Sequence, residues 1–178
     1  YDPTDGLKDL KRGLVRFIGE PSQRISEDYL RILRFYRFHA YYGKSLPDAS
    51  ALEACTRFAP KLNQLSQERK VNEIFKILSS ENPASIFKLM MQNDVLGYVL
   101  QGYNNLSRLG RLTEWDRDDR DPVRRLAAFL DLGPDDTKKM VRPLNLSKAI
   151  IDRLVRLSRA LPIDPSSDIS LLKRVLYE

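Results

Sequence analysis

An all-α fold is predicted by three observations. Helix N-caps stand directly ahead of apolar runs at Asp48, Ser66, Asn82, Asp121 and Ser147. Within those runs apolar side chains recur three and four positions apart, the spacing of one helix face. No stretch alternates apolar and polar residues as a half-buried strand would.

The elements follow in order. Residues 1–23 read as loop with a short helix around Leu7 to Arg16, interrupted by Gly6, Gly13 and Gly19 and ended by Pro21. Ser26 reads as the cap of a long helix to Gly43, with Glu27 and Asp28 in its first turn, where the helix dipole favours acids. Leu30, Leu33, Tyr36 or Phe38, and Tyr41 supply its core face. Asp48 starts a second helix that Pro60 stops, Ser66 a third with Val71, Ile74, Phe75 and Leu78 inward, and Asn82-Pro83 a fourth. Composition shifts near Asn93 to Gly97. Residues 102–121, with Trp115 among acids and arginines, read as the loosest part. Asp121-Pro122 opens a helix that Gly133-Pro134 ends, a shorter one covers about 135–142, Ser147 caps another to Leu161, and Asp168 opens a last.

The chain has 178 residues, enough for one large or two small helical units. Its hydrophobic fraction of 42% is that of a globular chain, not a disordered one. Apolar runs are too short for a membrane span, and no leader opens the chain. The single cysteine, Cys55, excludes an internal disulfide and suits a reducing cytoplasm. The single histidine, His39, excludes multi-histidine zinc and phosphohydrolase sites. The acidic run Asp116 to Asp121 is interspersed with arginines and follows no strand, so it reads as a solvated loop, and no metal site is expected. A net charge of +6 favours a polyanionic partner.

Residues 24–34 carry the most chemistry. On a helix, Asp28 and Arg31 share a face and set a carboxylate acceptor beside a guanidinium donor. A base edge with an exocyclic amine next to a bare ring nitrogen matches both. Adenine and cytosine have that edge; guanine and uracil present an oxo group instead. The plain alternative is a surface ion pair. Arg31, Arg34 and Arg37 recur at spacing three, a row that faces nucleotide and RNA or merely braces neighbouring helices. Arg153, Arg156 and Arg159 read as a solvated face, with phosphate contact the alternative.

Around that pair stand Asp2-Pro3-Thr4-Asp5-Gly6-Leu7-Lys8-Asp9-Leu10, Val15-Arg16-Phe17-Ile18-Gly19-Glu20-Pro21 and Leu33-Arg34-Phe35-Tyr36-Arg37-Phe38. Further on come Leu65-Ser66-Gln67-Glu68-Arg69 with Glu73 and Lys76, and Asp121-Pro122-Val123-Arg124-Arg125-Leu126-Ala127-Ala128. This ordered series resembles the neck and body of bacterial tRNA nucleotidyltransferases (CCA-adding enzymes) and the related poly(A) polymerases. The resemblance is closest over residues 1–80.

The resemblance implies an all-α, multi-helix neck and body. Residues 1–23 would link to a catalytic head, 24–95 would form the neck, and 96–178 an RNA-binding body cut at its C-terminus. Asp28 and Arg31 would be the protein template for the incoming ATP or CTP base. Arg24, Arg34 and Arg37 would be nucleotide or RNA contacts, and Glu27, Glu68 and Arg69 structural braces. No catalytic residue is expected here. The head, with its Mg²⁺, would lie ahead of Tyr1, so the chain alone is expected to be inactive. The parent would extend tRNA or other RNA 3′ ends in the cytoplasm, by CCA or poly(A) addition; oligomeric state is not implied. The rival readings are a non-catalytic basic helical RNA-binding module and a plain helical scaffold.

Overall fold

The computed structural model describes residues 4–44, 46–100, 102 and 105–159. Among them are ten α-helices, three short 3₁₀ turns and no strand. The helix expected from Asp168 lies outside the described residues, as does the Asp2-Pro3 pair. None of the described helices is long and apolar enough to cross a membrane.

The first helix, α1 (Gly6–Arg12), ends at Gly13, whose φ of 66° is left-handed. A side chain there would collide with Lys44, whose backbone N–H donates to Gly13 O at 3.0 Å. Two helices then replace the single long one expected from Ser26. α2 spans Pro21–Glu27 and α3 spans Leu30–Tyr42. Glu20, not Ser26, caps α2, accepting from Ser22 N at 3.3 Å, and Pro21 occupies the first helical position instead of ending a segment. Ser26 lies inside α2 and donates to Gln23 O.

The next caps fall where expected. Asp48 accepts from Ala51 N for α4 (Ala49–Phe58), Ser66 from Arg69 N for α5 (Gln67–Leu78), and Asn82 from Ser85 N for α6 (Pro83–Gln92). The supposed loose stretch contains α7 (Leu106–Trp115), capped by Asn105. Asp121 caps α8 (Pro122–Leu130), accepting from Val123 N at 2.9 Å. The described chain closes with α9 (Pro134–Val141) and α10 (Lys148–Ser158), the latter capped by Ser147.

One apolar cluster runs from Ile25 to Leu154. α3 buries Ile32, Leu33, Phe35 and Tyr36 and packs chiefly on α5, while α2 packs on α4. Phe87 of α6 meets Phe129 of α8 edge-on at 4.8 Å, joining the two halves. Removing a fully buried side chain such as Leu33 costs about 2–5 kcal/mol in such a core. Phe38 and Tyr41, expected in the core, are instead 43% and 48% exposed.

His39 introduces a pH dependence. Its ring stacks on Phe35 at 6.4 Å, and its Nδ1 is buried with no hydrogen-bond partner. Gly43 leaves no spare room, since a Cβ there would lie 2.3 Å from Nδ1. Desolvation holds the imidazole below its ordinary pKa. The unfolded chain therefore binds a proton, as pH falls below about 6.5, that the folded chain resists. Stability present at neutral pH should decline as pH falls from about 6.5 toward the lowered folded pKa. Urea titrations at pH 7.5, 6.5 and 5.5 should show a shallower decline for His39→Leu; an identical slope would exclude His39 as the source.

Candidate functional site

The site forms where α2 gives way to α3. Asp28 is extended, with φ −156° and ψ 109°, so the helix is broken at that residue. Its Oδ1 accepts from Leu30 N at 3.1 Å, and its carbonyl accepts from Arg31 N at 3.0 Å, which starts α3. Asp28 and Arg31 therefore do not share a helix face as the sequence suggests. They stand on either side of a joint, close in the chain, and each is held by a different partner.

Arg69, from the first turn of α5, donates through Nη2 to both carboxylate oxygens of Asp28, at 3.2 and 3.0 Å. Arg31 donates through Nη1 to Arg24 O at 2.7 Å and to Glu27 at 2.5 Å. Glu27 also accepts from Arg24 at 2.9 Å. The Arg31 hydrogen bond, with the charge of Arg24 and Arg31, lowers the Glu27 pKa below the usual carboxylate value. Glu27 and Arg69 thus each bond one of the two template candidates, Arg31 and Asp28. The Glu68 side chain is exposed and has no hydrogen bond or ion pair with any described residue.

The arginine row resolves into three different situations. Arg31 is bound to the α2 side, Arg37 is paired to Glu73 at 2.8 Å, and Arg34 is exposed with no partner among the described residues. Arg24 is committed to Glu27.

A donor count shows what remains for a ligand. A guanidinium has five N–H groups, and Arg31 uses only those on Nη1. Its Nη2 and Nε stay available. A carboxylate has about four acceptor positions. Asp28 fills two on Oδ1, with Leu30 N and Arg69, and one on Oδ2 with Arg69. One acceptor position is left on Oδ2, beside a joint whose other side carries free donors. Both side chains are about one-quarter exposed, so they are fixed but reachable.

Among the described residues, several charged groups that the sequence reading did not place in the interior are buried. Glu73 is 3% exposed and accepts from both Arg37 and Lys76. Asp116, expected in a solvated loop, is buried and bonded to the fully buried Arg125, which also donates to Leu78 O and Ser80 O at 2.6 Å. Lys70 is 2% exposed and donates to Tyr98 O at 3.2 Å. Partners nine residues away for Asp116 and thirty-six away for Glu73 are not ones that periodicity reveals. Only Glu73 carried a signal, through its spacing from Lys76.

Farther along, Arg142, Lys148 and Arg156 are exposed and without ion pairs among the described residues. Arg153 lies on the solvated face as expected, but it is paired with the α8 cap Asp121. Among the described residues no three His, Cys, Asp or Glu side chains converge as metal ligands. Asp116 and Asp121 are already committed to arginines, so these residues do not fit a Mg²⁺ site.

Comparison with known proteins gives this geometry its context. A family model described as "Probable RNA and SrmB- binding site of polymerase A" matches residues 47–106, from just ahead of α4 to the start of α7. Human mitochondrial CCA tRNA nucleotidyltransferase 1 is 34% identical over 154 residues, covering 80% of this chain and 34% of that protein. The CCA-adding enzyme of Leuconostoc mesenteroides is 33% identical over 98 residues, or 55% of this chain and 24% of the enzyme. The solved structure of the Bacillus stearothermophilus CCA-adding enzyme in complex with CTP aligns with a TM-score of 0.70 at 23% identity, covering 89% of this chain and 40% of that one. The Thermotoga maritima CCA-adding enzyme complexed with tRNA gives 0.65 at 20%, covering 88% and 41%. These two likenesses establish the fold: the helical neck-and-body type found in nucleotidyltransferases. Together these likenesses support the chain as a fragment of the CCA-adding enzyme and poly(A) polymerase family type. It spans a quarter to a third of the length of these two curated relatives.

Proposed function

We propose that this chain selects the incoming base and holds the RNA end for a nucleotidyltransferase that adds CCA to tRNA. The observation that carries this reading is the donor count at the α2–α3 joint. One open acceptor on Asp28 Oδ2 suits an exocyclic amine, and the open Arg31 donors suit the adjacent ring nitrogen. Adenine and cytosine satisfy both. Guanine and uracil would set an oxo group against the carboxylate and leave a polar group unpaired.

Residues 24–95 take the base-selecting role in this reading, and residues 96–178 the RNA-binding role. Arg142, Lys148 and Arg156 offer phosphate contacts, which give affinity without sequence. Arg24 and Glu27 orient Arg31, and Arg69 orients Asp28. The reaction joins a nucleoside monophosphate to the RNA 3′ hydroxyl and releases pyrophosphate. Its Mg²⁺ chemistry is assigned to no residue here. CCA addition is preferred over poly(A) addition because relatives such as the human and Leuconostoc proteins carry that name.

The test uses the full-length protein with a tRNA ending just before CCA and each of four labelled nucleoside triphosphates. Expected is incorporation from CTP and then ATP, with GTP and UTP rejected. Residues 1–178 alone should add nothing but should bind the tRNA, with affinity falling steeply as salt rises. Equal use of all four triphosphates, or no tRNA binding at low salt, would refute the reading.

A further inference from the structure

We infer that the exposed aromatic end of α3 is a stacking platform for the unpaired bases that precede the RNA 3′ end. Phe38, Tyr41 and Tyr42 are 43%, 48% and 50% exposed and adjoin one another. Phe38 and Tyr42 lie with ring centroids 6.2 Å apart at 29°, and Tyr41 follows Tyr42 at 6.3 Å. Scattered exposed aromatics are ordinary, but three in contact form a patch that calls for a partner.

The setting points to nucleic acid. The Arg37 guanidinium lies over the Phe38 ring, 4.6 Å from its centroid. Arg34, one turn before Phe38, is exposed and unpaired among the described residues. Lys76 borders the patch, since Tyr41 donates its hydroxyl to Lys76 O at 2.8 Å. That bond also fixes the Tyr41 ring. Arg37 and Lys76 share the single carboxylate of Glu73 and Arg34 has no partner among the described residues, so the surface keeps a positive excess. Aromatic faces set among arginines bind single strands by stacking, with little dependence on sequence.

The position also fits. Arg31, Phe38 and Tyr42 are seven and four residues apart, so at about 100° per residue they lie within roughly 40° of one face. Phe38 stands about 10 Å along the helix axis from Arg31. At about 3.4 Å per stacked nucleotide, that is about three nucleotides. A strand whose growing end meets the base held at Asp28 and Arg31 would lay its preceding bases over Phe38 and Tyr42. This inference rests on the base-selecting reading above. It adds residues outside the 47–106 segment that the RNA-binding family model covers.

The test uses the full-length protein and a tRNA carrying 2-aminopurine three nucleotides before its 3′ end. Stacking on Tyr42 should quench the probe. Tyr42→Ala should restore its emission and weaken RNA binding about tenfold, within the range of one base–aromatic stack. Tyr42→Trp should retain both, and circular dichroism should confirm that each variant is folded. Unchanged emission and affinity in folded Tyr42→Ala would overturn the inference. So would protection of Tyr42 from chemical modification without RNA, because another polypeptide segment would then cover the patch. Failure of the base-selecting reading is seen separately, as unaltered nucleotide preference in Asp28→Ala.

Discussion

Arg125→Ala is expected to destabilise the chain by about 3–5 kcal/mol, the cost of breaking one side of a buried ion pair. Arg125 is fully buried and makes five side-chain hydrogen bonds that alanine cannot replace. Nε and Nη2 bind the Asp116 carboxylate, Nη2 at 2.6 Å, and Nη1 reaches Leu78 O and Ser80 O. Truncation leaves Asp116 charged, buried and facing only the more distant Arg124 at 3.7 Å. It also strips a donor from the end of α5. Arg125→Lys should recover only part of the loss, because an ammonium lacks the planar fork that spans carboxylate and carbonyls together. Urea denaturation of the single variants and of Arg125→Ala with Asp116→Ala gives the coupling directly. The double variant should lose less than the sum of the singles. A loss below about 1 kcal/mol for Arg125→Ala would show that the pair contributes little beyond packing.

Asp28→Ala in the full-length protein should reduce the preference for ATP or CTP over GTP by about a hundredfold or more. Sites built on hydrogen bonds to a substrate group discriminate by large factors, because the wrong group leaves buried polar atoms unpaired. Removing the acceptor abolishes that penalty. The fold should survive, since Asp28 is partly exposed and its main partner Arg69 is about half exposed. Arg69→Ala should erode the preference less, because it frees the carboxylate without removing it. The measurement is the ratio of kcat/KM for the four triphosphates. An unaltered ratio in Asp28→Ala would remove the carboxylate from base selection.

Much of the fold was readable from local signals. Asp48, Ser66, Asn82, Asp121 and Ser147 all cap helices in the structure, because each precedes an apolar run with the helical period. The break at Asp28 was not readable. Ser26-Glu27-Asp28 has the composition of a helix start, while Glu20-Pro21, which opens α2, resembles a terminator. The geometry around Asp28 and Arg31 was not legible. Asp28 takes its position from Arg69, forty-one residues away, and no local rule anticipates that bond. α7 was missed because Gly110 and several arginines mask the regular recurrence of Leu106, Leu109 and Thr113. Asp116 looked solvated because its neighbours Asp118 and Asp119 are; only tertiary structure singles it out.

Cys55 gives the molecule a clock. It is fully buried on α4, and burial pushes its thiol up to about 12, so thiolate is scarce in the folded state. Alkylation must then wait for the packing of α4 against α2 to open. Trp115, 69% exposed, ends α7 and is the chain neighbour of Asp116, which binds Arg125. Thiol labelling times the opening of the half that carries α4, and tryptophan emission follows the half that carries α7. In the intact chain the two signals should change together. In Arg125→Ala they should separate, with emission shifting before the thiol reacts.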